Sequence, residues 1–224
     1  HHRSSAASDV YKRQVVHLLK DSKALEKMLY DDIFEKEPIR IGAEQELCLI
    51  DKNWKPAMAN LEVLKRANNE LFTTELARFN LETNLEPMIF EGRCLHNMET
   101  RILELLAILR KAANEIDLDI VLTGILPTIR KIDLTLENLT PIERYRALCE
   151  ALKKLRGTDH LELKIDGIDE LMTRHDSPLM EGCNTGFQVH LQVKPDEFVE
   201  KYNIAQAIAA VSYTHLRAHE TRFY

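Results

Sequence analysis

The chain has 224 residues, of which 45% are hydrophobic and 29% charged, so it can bury one sizeable globular core. Its formal net charge of −6 is the wrong sign for a surface that tracks a nucleic-acid backbone. Four scattered cysteines without a CxxC pair argue against a zinc knuckle or a disulfide framework, and no apolar run reaches the length of a membrane span. We expect a cytoplasmic protein that is not exported, with no nucleic-acid or membrane partner.

The two ends differ from the sequence between them in periodicity and composition. Residues 1–14 (HHRSSAASDVYKRQ) and residues 211–224 (VSYTHLRAHETRFY) resemble translated sequencing-adapter sequence. Segments of this kind are set aside in reasoning about the fold. We expect the natural segment to be residues 15–210, cut from a longer chain and incomplete at its C-terminus.

The first half of the chain alternates helical and strand patterns. In order, the spacing predicts an amphipathic helix over residues 15–29, a strand over residues 39–50, a helix over residues 61–71, a strand over residues 77–86 and a long amphipathic helix over residues 95–116. Each strand alternates apolar and polar side chains, and the polar sides carry Glu44 and Glu46 on the first and Glu82 and Glu86 on the second. Pro87 ends the second strand, because proline cannot donate to a ladder.

The second half continues with shorter elements. In order, the pattern predicts a strand over residues 119–122, a loop over residues 124–139, a helix over residues 141–155, short strands and turns over residues 159–176, a strand over residues 186–193 and a helix over residues 197–210. Pro141 suits the first position of its helix. The last predicted strand places Gln188 and His190 on its polar side.

Three predicted strands therefore share one design, with an apolar face and a face of carboxylates, amides and a histidine. Amphipathic helices lie between them in sequence. The simplest assembly is an α+β fold, in which a largely antiparallel sheet has helices packed on its apolar face and an active-site groove on its polar face.

Glu44 and Glu46 are two positions apart on a strand, so their side chains leave the same face with Cβ atoms about 6–7 Å apart. Carboxylates at that distance repel unless a cation lies between them, and hard oxygen ligands suit Mg²⁺ or Mn²⁺. An isolated pair of this kind is more often a solvated strand face. The preceding Gly42, the apolar residues that follow and the second polar face with Glu82 and Glu86 favour a metal site.

Three motifs carry a resemblance to a known family. GAEQE from Gly42, ETNLEP from Glu82 and GFQVH from Gly186 resemble, in this order and spacing, the signature elements of the bacterial glutamate-cysteine ligase and carboxylate-amine ligase family. The resemblance covers residues 15–210 and is closest to a branch whose ligase-like domain can be joined to CBS modules. It implies the glutamine synthetase catalytic fold, with residues 15–210 as the N-terminal part of the catalytic domain.

The resemblance also implies roles by position. Glu44, Glu46 and Glu86 match glutamates that bind the catalytic metal, with Glu82 as a less direct match. Gln188 and His190 fall on an element that approaches metal and nucleotide phosphates, so His190 is both a metal and a cofactor candidate. The family commonly has histidine at Gln188, whose amide can bind a cation but cannot act as an imidazole. A structural role for His190 is an equal alternative.

Weaker signals lie outside the three motifs. Arg130 is a candidate for binding a substrate carboxylate or phosphate, because its planar fork suits bidentate anion recognition. Leu126 stands where many relatives carry histidine, which favours a different substrate at that loop. Arg144 and Tyr145 are interpreted as a structural cap or surface pair, and Cys183 as a small buried hydrophobe.

The resemblance implies an ATP- and Mg²⁺-dependent ligase that joins a carboxylate to an amine through an acyl phosphate, with small amino-acid substrates and glutathione biosynthesis as the family default. One alternative is a regulatory domain that keeps the fold and binds a nucleotide or amino acid without turnover, as Gln188 and Leu126 suggest. A weaker one is a metal-dependent hydrolase, for which no general-base motif is present. A homo-oligomer and C-terminal CBS modules are compatible with the sequence, and we expect residues 15–210 alone to be inactive.

Overall fold

The computed structural model describes residues 2–158 and 160–215, without the side chains of residues 2–14, 210 and 212–215. Its helices and strands follow in the order α1 (His2–Tyr30), β1 (Arg40–Ile50), α2 (Asn60–Ala67), β2 (Phe72–Thr74), β3 (Asn80–Asn84), β4 (Met88–Ile89), α3 (Cys94–Asn114), β5 (Asp119–Val121), α4 (Glu143–Arg156), β6 (Leu161–Asp166), β7 (Glu170–His175), β8 (Phe187–Leu191) and α5 (Phe198–His215). Short 3₁₀ helices cover Lys131–Leu134, Leu136–Asn138, Pro178–Cys183 and Pro195–Glu197. The chain forms two compact units, Arg40–Leu191 and a smaller one made of residues up to Ile39 with Gln192–His215.

The larger unit is built on an antiparallel sheet with β1 at its centre. Glu44 of β1 is paired with Asn84 of β3 and with Gln188 of β8, so β3 and β8 flank β1 on opposite sides. β2 extends the sheet beyond β3, while β4 and β5 pair with the two ends of β1. These elements confirm the predicted α+β class with an antiparallel sheet.

Helices α2 and α3 cover one face of this sheet. α3 repeats apolar residues every three or four positions, which gives it one continuous apolar stripe. The buried cluster contains Ile41, Ala43, Leu47 and Leu49 of β1, Leu81 of β3, Val63 of α2, and Met98, Leu105, Leu106 and Leu109 of α3. Leu105 and Leu109 are fully buried, and each such burial contributes about 1.5–3 kcal/mol. The prediction of helices packed on the apolar face is confirmed for these two helices.

The predicted strand over residues 77–86 is wrong at both ends. The strand proper is Asn80–Asn84, and a turn precedes it in which the Asn80 N–H donates to the Ala77 carbonyl. This turn rotates Phe79 out of the strand's alternation and into a second cluster with Leu134 and Leu179. Glu86 lies past the strand's end and is exposed.

Two further local predictions need correction. α4 begins at Glu143 instead of Pro141, because the first helical carbonyl acceptor is that of Ile142, which receives the N–H of Tyr145. Strand β2 was not predicted, since three residues are too few to show a period. The predicted short strands in residues 159–176 are confirmed as the antiparallel hairpin of β6 and β7.

β8 completes the sheet with an uncovered apolar side. Phe187, Val189 and Leu191 alternate with Gln188 and His190 as predicted, yet each is about half exposed. Helices therefore cover the apolar face over β1 and β3 but leave it open over β8 in the described chain.

The smaller unit contains α1 and α5. Its connecting segments are held by an ion pair of 2.8 Å between Lys194 and Glu37 and by a hydrogen bond from Gln192 to the Glu35 carbonyl. α1 and α5 run through positions 14–15 and 210–211, where the sequence analysis places the adapter boundaries; residues 216–224 lie outside the described residues. A helix does not test the origin of those residues, so the assignment stays a prediction. No described helix combines the length and apolar character needed to cross a membrane.

Candidate functional site: a carboxylate cluster on the sheet

The strand pairing brings the three predicted polar faces onto one side of the sheet. Gln188, Glu44 and Asn84 form one cross-strand row, and Glu46 is paired with Glu82 in the next. Because paired residues in an antiparallel sheet project to the same face, all of these polar side chains lie on one surface. The face opposite is the buried one under α2 and α3.

Three carboxylates converge on this surface. Each of Glu46, Glu75 and Glu82 offers an oxygen that lies within 4.8 Å of the other two. All three side chains are half-buried. The nearby ion pairs of Arg101, Arg130 and His190 go to Glu86, Asp133 and Glu44, so no direct ion pair in the described part of the chain is seen to offset the mutual repulsion of the three carboxylates.

Glu75 is the member that the sequence analysis missed. It lies between β2 and β3, where the chain shows neither a helical nor a strand period. Its backbone is fixed from a distance: Thr140 Oγ1 donates to the Glu75 carbonyl at 2.6 Å, and Asn60 Nδ2 donates to Thr140 Oγ1 at 2.8 Å. Asn60 also donates to the Ala77 carbonyl, which ties the following turn to the same buried centre.

Hydrogen bonds orient the other two carboxylates. The Gly186 N–H donates to Glu46 Oε2 at 2.7 Å, and Gln188 Nε2 approaches Glu46 Oε1 at 3.4 Å. Glu82 Oε1 accepts from Thr73 Oγ1 at 3.0 Å and from Asn84 Nδ2 at 2.9 Å. These neutral donors orient both oxygens of Glu46 and one oxygen of Glu82 without supplying a positive charge.

The electrostatics of the cluster follow from burial and repulsion. Burial, with the charges of Glu82 and Glu46, raises the pKa of Glu75 from 4.5 to about 7. Burial also raises the pKa of Glu46, opposed by the Gly186 N–H and assisted by the charges of Glu82 and Glu44. A cation among these oxygens would remove the repulsion that raises both pKa values. Three carboxylate oxygens are the donor type that Mg²⁺ or Mn²⁺ binds, so the donor set fits a hard divalent ion.

Glu44 and His190 extend the acidic surface beside the cluster. His190 Nε2 lies 3.5 Å from Glu44 Oε1, on the row adjoining Gln188. The imidazole is exposed, so it is accessible to a ligand and is not a buried structural histidine. A metal role for either side chain stays a prediction.

Other predicted residues have partners of their own. Glu86 binds Arg101 of α3 through both oxygens, at 2.9 and 3.2 Å, and this hydrogen-bonded ion pair lowers the Glu86 pKa. Arg130 directs its fork to Asp133, at 3.1 and 3.2 Å, within the 3₁₀ helix that it begins. Both pairings compete with the ligand-binding roles predicted from the sequence. Leu126 is buried against Cys48 and Ile50.

Cys48 and Cys183 are buried thiols. Burial raises the pKa of Cys48 to about 12 and also raises that of Cys183, so both thiols stay protonated at neutral pH. The interpretation of Cys183 as a small buried hydrophobe agrees with its place in the second cluster.

Comparison with known proteins supplies a family for this arrangement. The sequence profile of the glutamate-cysteine ligase family 2 (GCS2) matches residues 40–213, which is most of the chain and includes every residue of the carboxylate cluster. No curated protein and no solved structure matches the chain significantly.

Proposed function

The chain belongs to the glutamate-cysteine ligase family 2. On that premise, we propose that it is the catalytic part of an ATP- and Mg²⁺-dependent ligase that joins a carboxylate to an amine. The observation that carries the proposal is the convergence of Glu46, Glu75 and Glu82 within 4.8 Å on the polar face of the sheet. Family membership supports ligase chemistry. The cofactors and the acyl-phosphate route are proposals.

The proposed reaction needs no protein nucleophile. A substrate carboxylate oxygen attacks the γ-phosphorus of ATP and ADP leaves; the amine then attacks the acyl carbon, phosphate leaves and the amine loses a proton. A divalent ion held by Glu46, Glu75 and Glu82 would neutralise phosphate charge. The chain's own task is to position these carboxylates, which the Gly186 N–H and Asn84 do by hydrogen bonds to Glu46 and Glu82.

The surroundings of the cluster suit anionic substrates that bind together with a divalent cation. The three carboxylates alone would repel ATP or an amino-acid carboxylate, so the ion must bind first or enter with the nucleotide. Exposed Gln188 and His190 lie on the adjoining strand β8, where their side chains are accessible to phosphate oxygens.

The test is phosphate release from ATP by the full-length protein. For a ligase, release requires Mg²⁺, a carboxylate acceptor and an amine together, with glutamate and cysteine as the first pair to try. Release with water as the sole acceptor would instead identify a hydrolase.

A regulatory domain is the second candidate. Gln188 directs its amide N–H to Glu46, and Leu126, at the other position where relatives commonly have histidine, is buried in an apolar cluster. If the protein binds nucleotide but releases no phosphate when acceptor and amine pairs are supplied, the regulatory domain is favoured over the ligase.

A further inference from the structure

Arg144 lies at the start of α4 beside the carboxylate cluster. Its guanidinium carbon is 4.7 Å from the centre of the Tyr145 ring, and its Nη2 donates to the Tyr145 hydroxyl at 2.7 Å. Tyr145 is buried, and its hydroxyl in turn donates to the Thr74 carbonyl at 2.9 Å. The arginine is therefore oriented by a buried tyrosine that is anchored to the residue next to Glu75.

Arg144 lies in the electric field of the cluster but, among the residues described, forms no ion pair with it. The charges of Glu75 and Glu82 contribute to raising the Arg144 pKa, after the larger effects of Tyr145, which places the guanidinium in their field. Within the described chain Arg144 has no carboxylate within 4.0 Å, whereas Arg101 binds Glu86 and Arg130 binds Asp133. Its side chain is exposed, so donors of the fork remain for a ligand.

The first turn of α4 combines the positive end of the helix dipole with the negative side chain of Glu143. Its N-cap residue is Ile142, which has no side-chain oxygen to accept from the first helical N–H groups. The positive end of the helix dipole and the guanidinium therefore lie at the same end of α4, close to Thr74 and Glu75. Because Glu143 offsets the dipole, the positive charge that an anion next to the cluster would meet from this direction is the Arg144 guanidinium.

We propose that Arg144 binds an oxyanion, a carboxylate or phosphoryl group, of the ligand whose charge the cation at Glu46, Glu75 and Glu82 offsets from the other side. The proposal rests on the proposed function and assigns it a second binding element. The planar guanidinium matches two oxygens of one anionic group, and stacking on Tyr145 reduces the freedom lost on binding. Arg144 thereby limits the ligand to one that presents an anion beside the metal.

The test is calorimetric binding to the full-length protein with three probes: Mg²⁺ alone, inorganic pyrophosphate with Mg²⁺, and L-glutamate with Mg²⁺. Arg144→Gln should leave Mg²⁺ affinity within about twofold and weaken one anionic probe by about tenfold or more. Arg146→Gln is the matched control, since it removes the same charge from an exposed position two residues along α4. Arg144→Lys, which keeps the charge but loses the fork, should recover part of the loss.

Each outcome decides something. Loss of pyrophosphate binding assigns Arg144 to the phosphoryl group, and loss of glutamate binding assigns it to the substrate carboxylate. Equal binding by Arg144→Gln and the unchanged protein overturns the proposal, as does an equal loss in Arg146→Gln or a loss of Mg²⁺ affinity in Arg144→Gln alone. An unchanged protein that binds no Mg²⁺ contradicts the proposed function itself, and the inference with it.

Discussion

Glu82 and Glu86 belong to one sequence motif, yet the two carboxylates have opposite surroundings. Glu82 shares its space with Glu46 and Glu75 and has no basic partner among the described residues, whereas Glu86 binds Arg101. The charge of Glu82 helps to raise the pKa of its neighbour Glu75 to about 7, whereas the ion pair with Arg101 lowers the pKa of Glu86. A paired carboxylate stabilises the fold, while an unpaired group of them costs free energy that a bound cation can offset. The difference predicts a structural role for Glu86 and a ligand-binding role for Glu82.

The largest expected effect is on turnover. Glu46→Gln in the full-length protein should lower ATP-dependent amide formation by about 100-fold or more, because it removes one charge from the cation site but keeps the side-chain shape. Product formation followed by mass spectrometry measures it. Glu99→Gln, an exposed change on α3, is the control. Unchanged turnover of Glu46→Gln at saturating Mg²⁺ would contradict the assignment of Glu46 to the cation site.

The next prediction compares the effects of substituting Glu75 and Glu86 on Mg²⁺ affinity. Glu75→Gln should raise the Mg²⁺ dissociation constant about tenfold or more, the equivalent of about 1.4 kcal/mol. Glu86→Gln should change it by less than about twofold, since that carboxylate is bound to Arg101. Titration with Mn²⁺ followed by electron paramagnetic resonance measures both. The reverse ranking would restore Glu86 as the third ligand, as the sequence motif predicts.

Without divalent ions, the cluster should make stability depend on pH. The folded-state pKa of Glu75 is about 7 against 4.5 when unperturbed, so the folded chain holds a proton that the unfolded chain releases. The stabilisation is fully present below about pH 4.5 and is lost as pH rises through 7. Because Glu75 is only half-buried, we expect a loss of about 1–2 kcal/mol.

Urea unfolding in EDTA between pH 5 and 8 measures this loss as the difference between the unchanged protein and Glu75→Gln, whose amide does not titrate. Added Mg²⁺ should flatten the difference. A stability difference that grows in favour of the unchanged protein as pH rises would contradict the raised pKa.

The smallest expected effect concerns the paired glutamate. The lowered Glu86 pKa means that its stabilisation is present above about pH 4.5 and is lost as pH falls. A double-mutant cycle of Glu86→Gln and Arg101→Gln at pH 7 should give a coupling of about 0.2–1 kcal/mol that salt reduces, as for exposed ion pairs. A coupling above about 2 kcal/mol would show that the pair is more than a surface contact.

The polar faces could be predicted because alternation is local. Glu44 and Glu46, and likewise Gln188 and His190, fall on one side of a strand whatever the rest of the chain does. Glu82 follows the same rule. Glu86 escapes it, because the strand ends at Asn84 and the chain then leaves the sheet.

Glu75 could not be predicted by any periodic rule. It reaches the cluster because Asn60 and Thr140, which lie 15 residues before it and 65 residues after it, hold its backbone and the following turn. No pattern in the sequence around Glu75 indicates these hydrogen bonds. Partial mutual burial then supplies the raised pKa, which depends on neighbours that the chain brings from β1 and β3.

The sequence by itself determined which strands carry a polar side and which helices carry an apolar stripe, because each depends on the spacing of residues within one element. It also determined which family the motifs resemble, because the order of the three motifs along the chain can be read without a structure. The tertiary structure decided that Glu46 and Glu82 are paired across two strands, that Glu75 lies beside them and that Glu86 forms an ion pair with Arg101. It also decided that the apolar side of β8 stays exposed. These depend on strand pairing and on hydrogen bonds between distant parts of the chain, where the free energy comes from contacts and not from local periodicity.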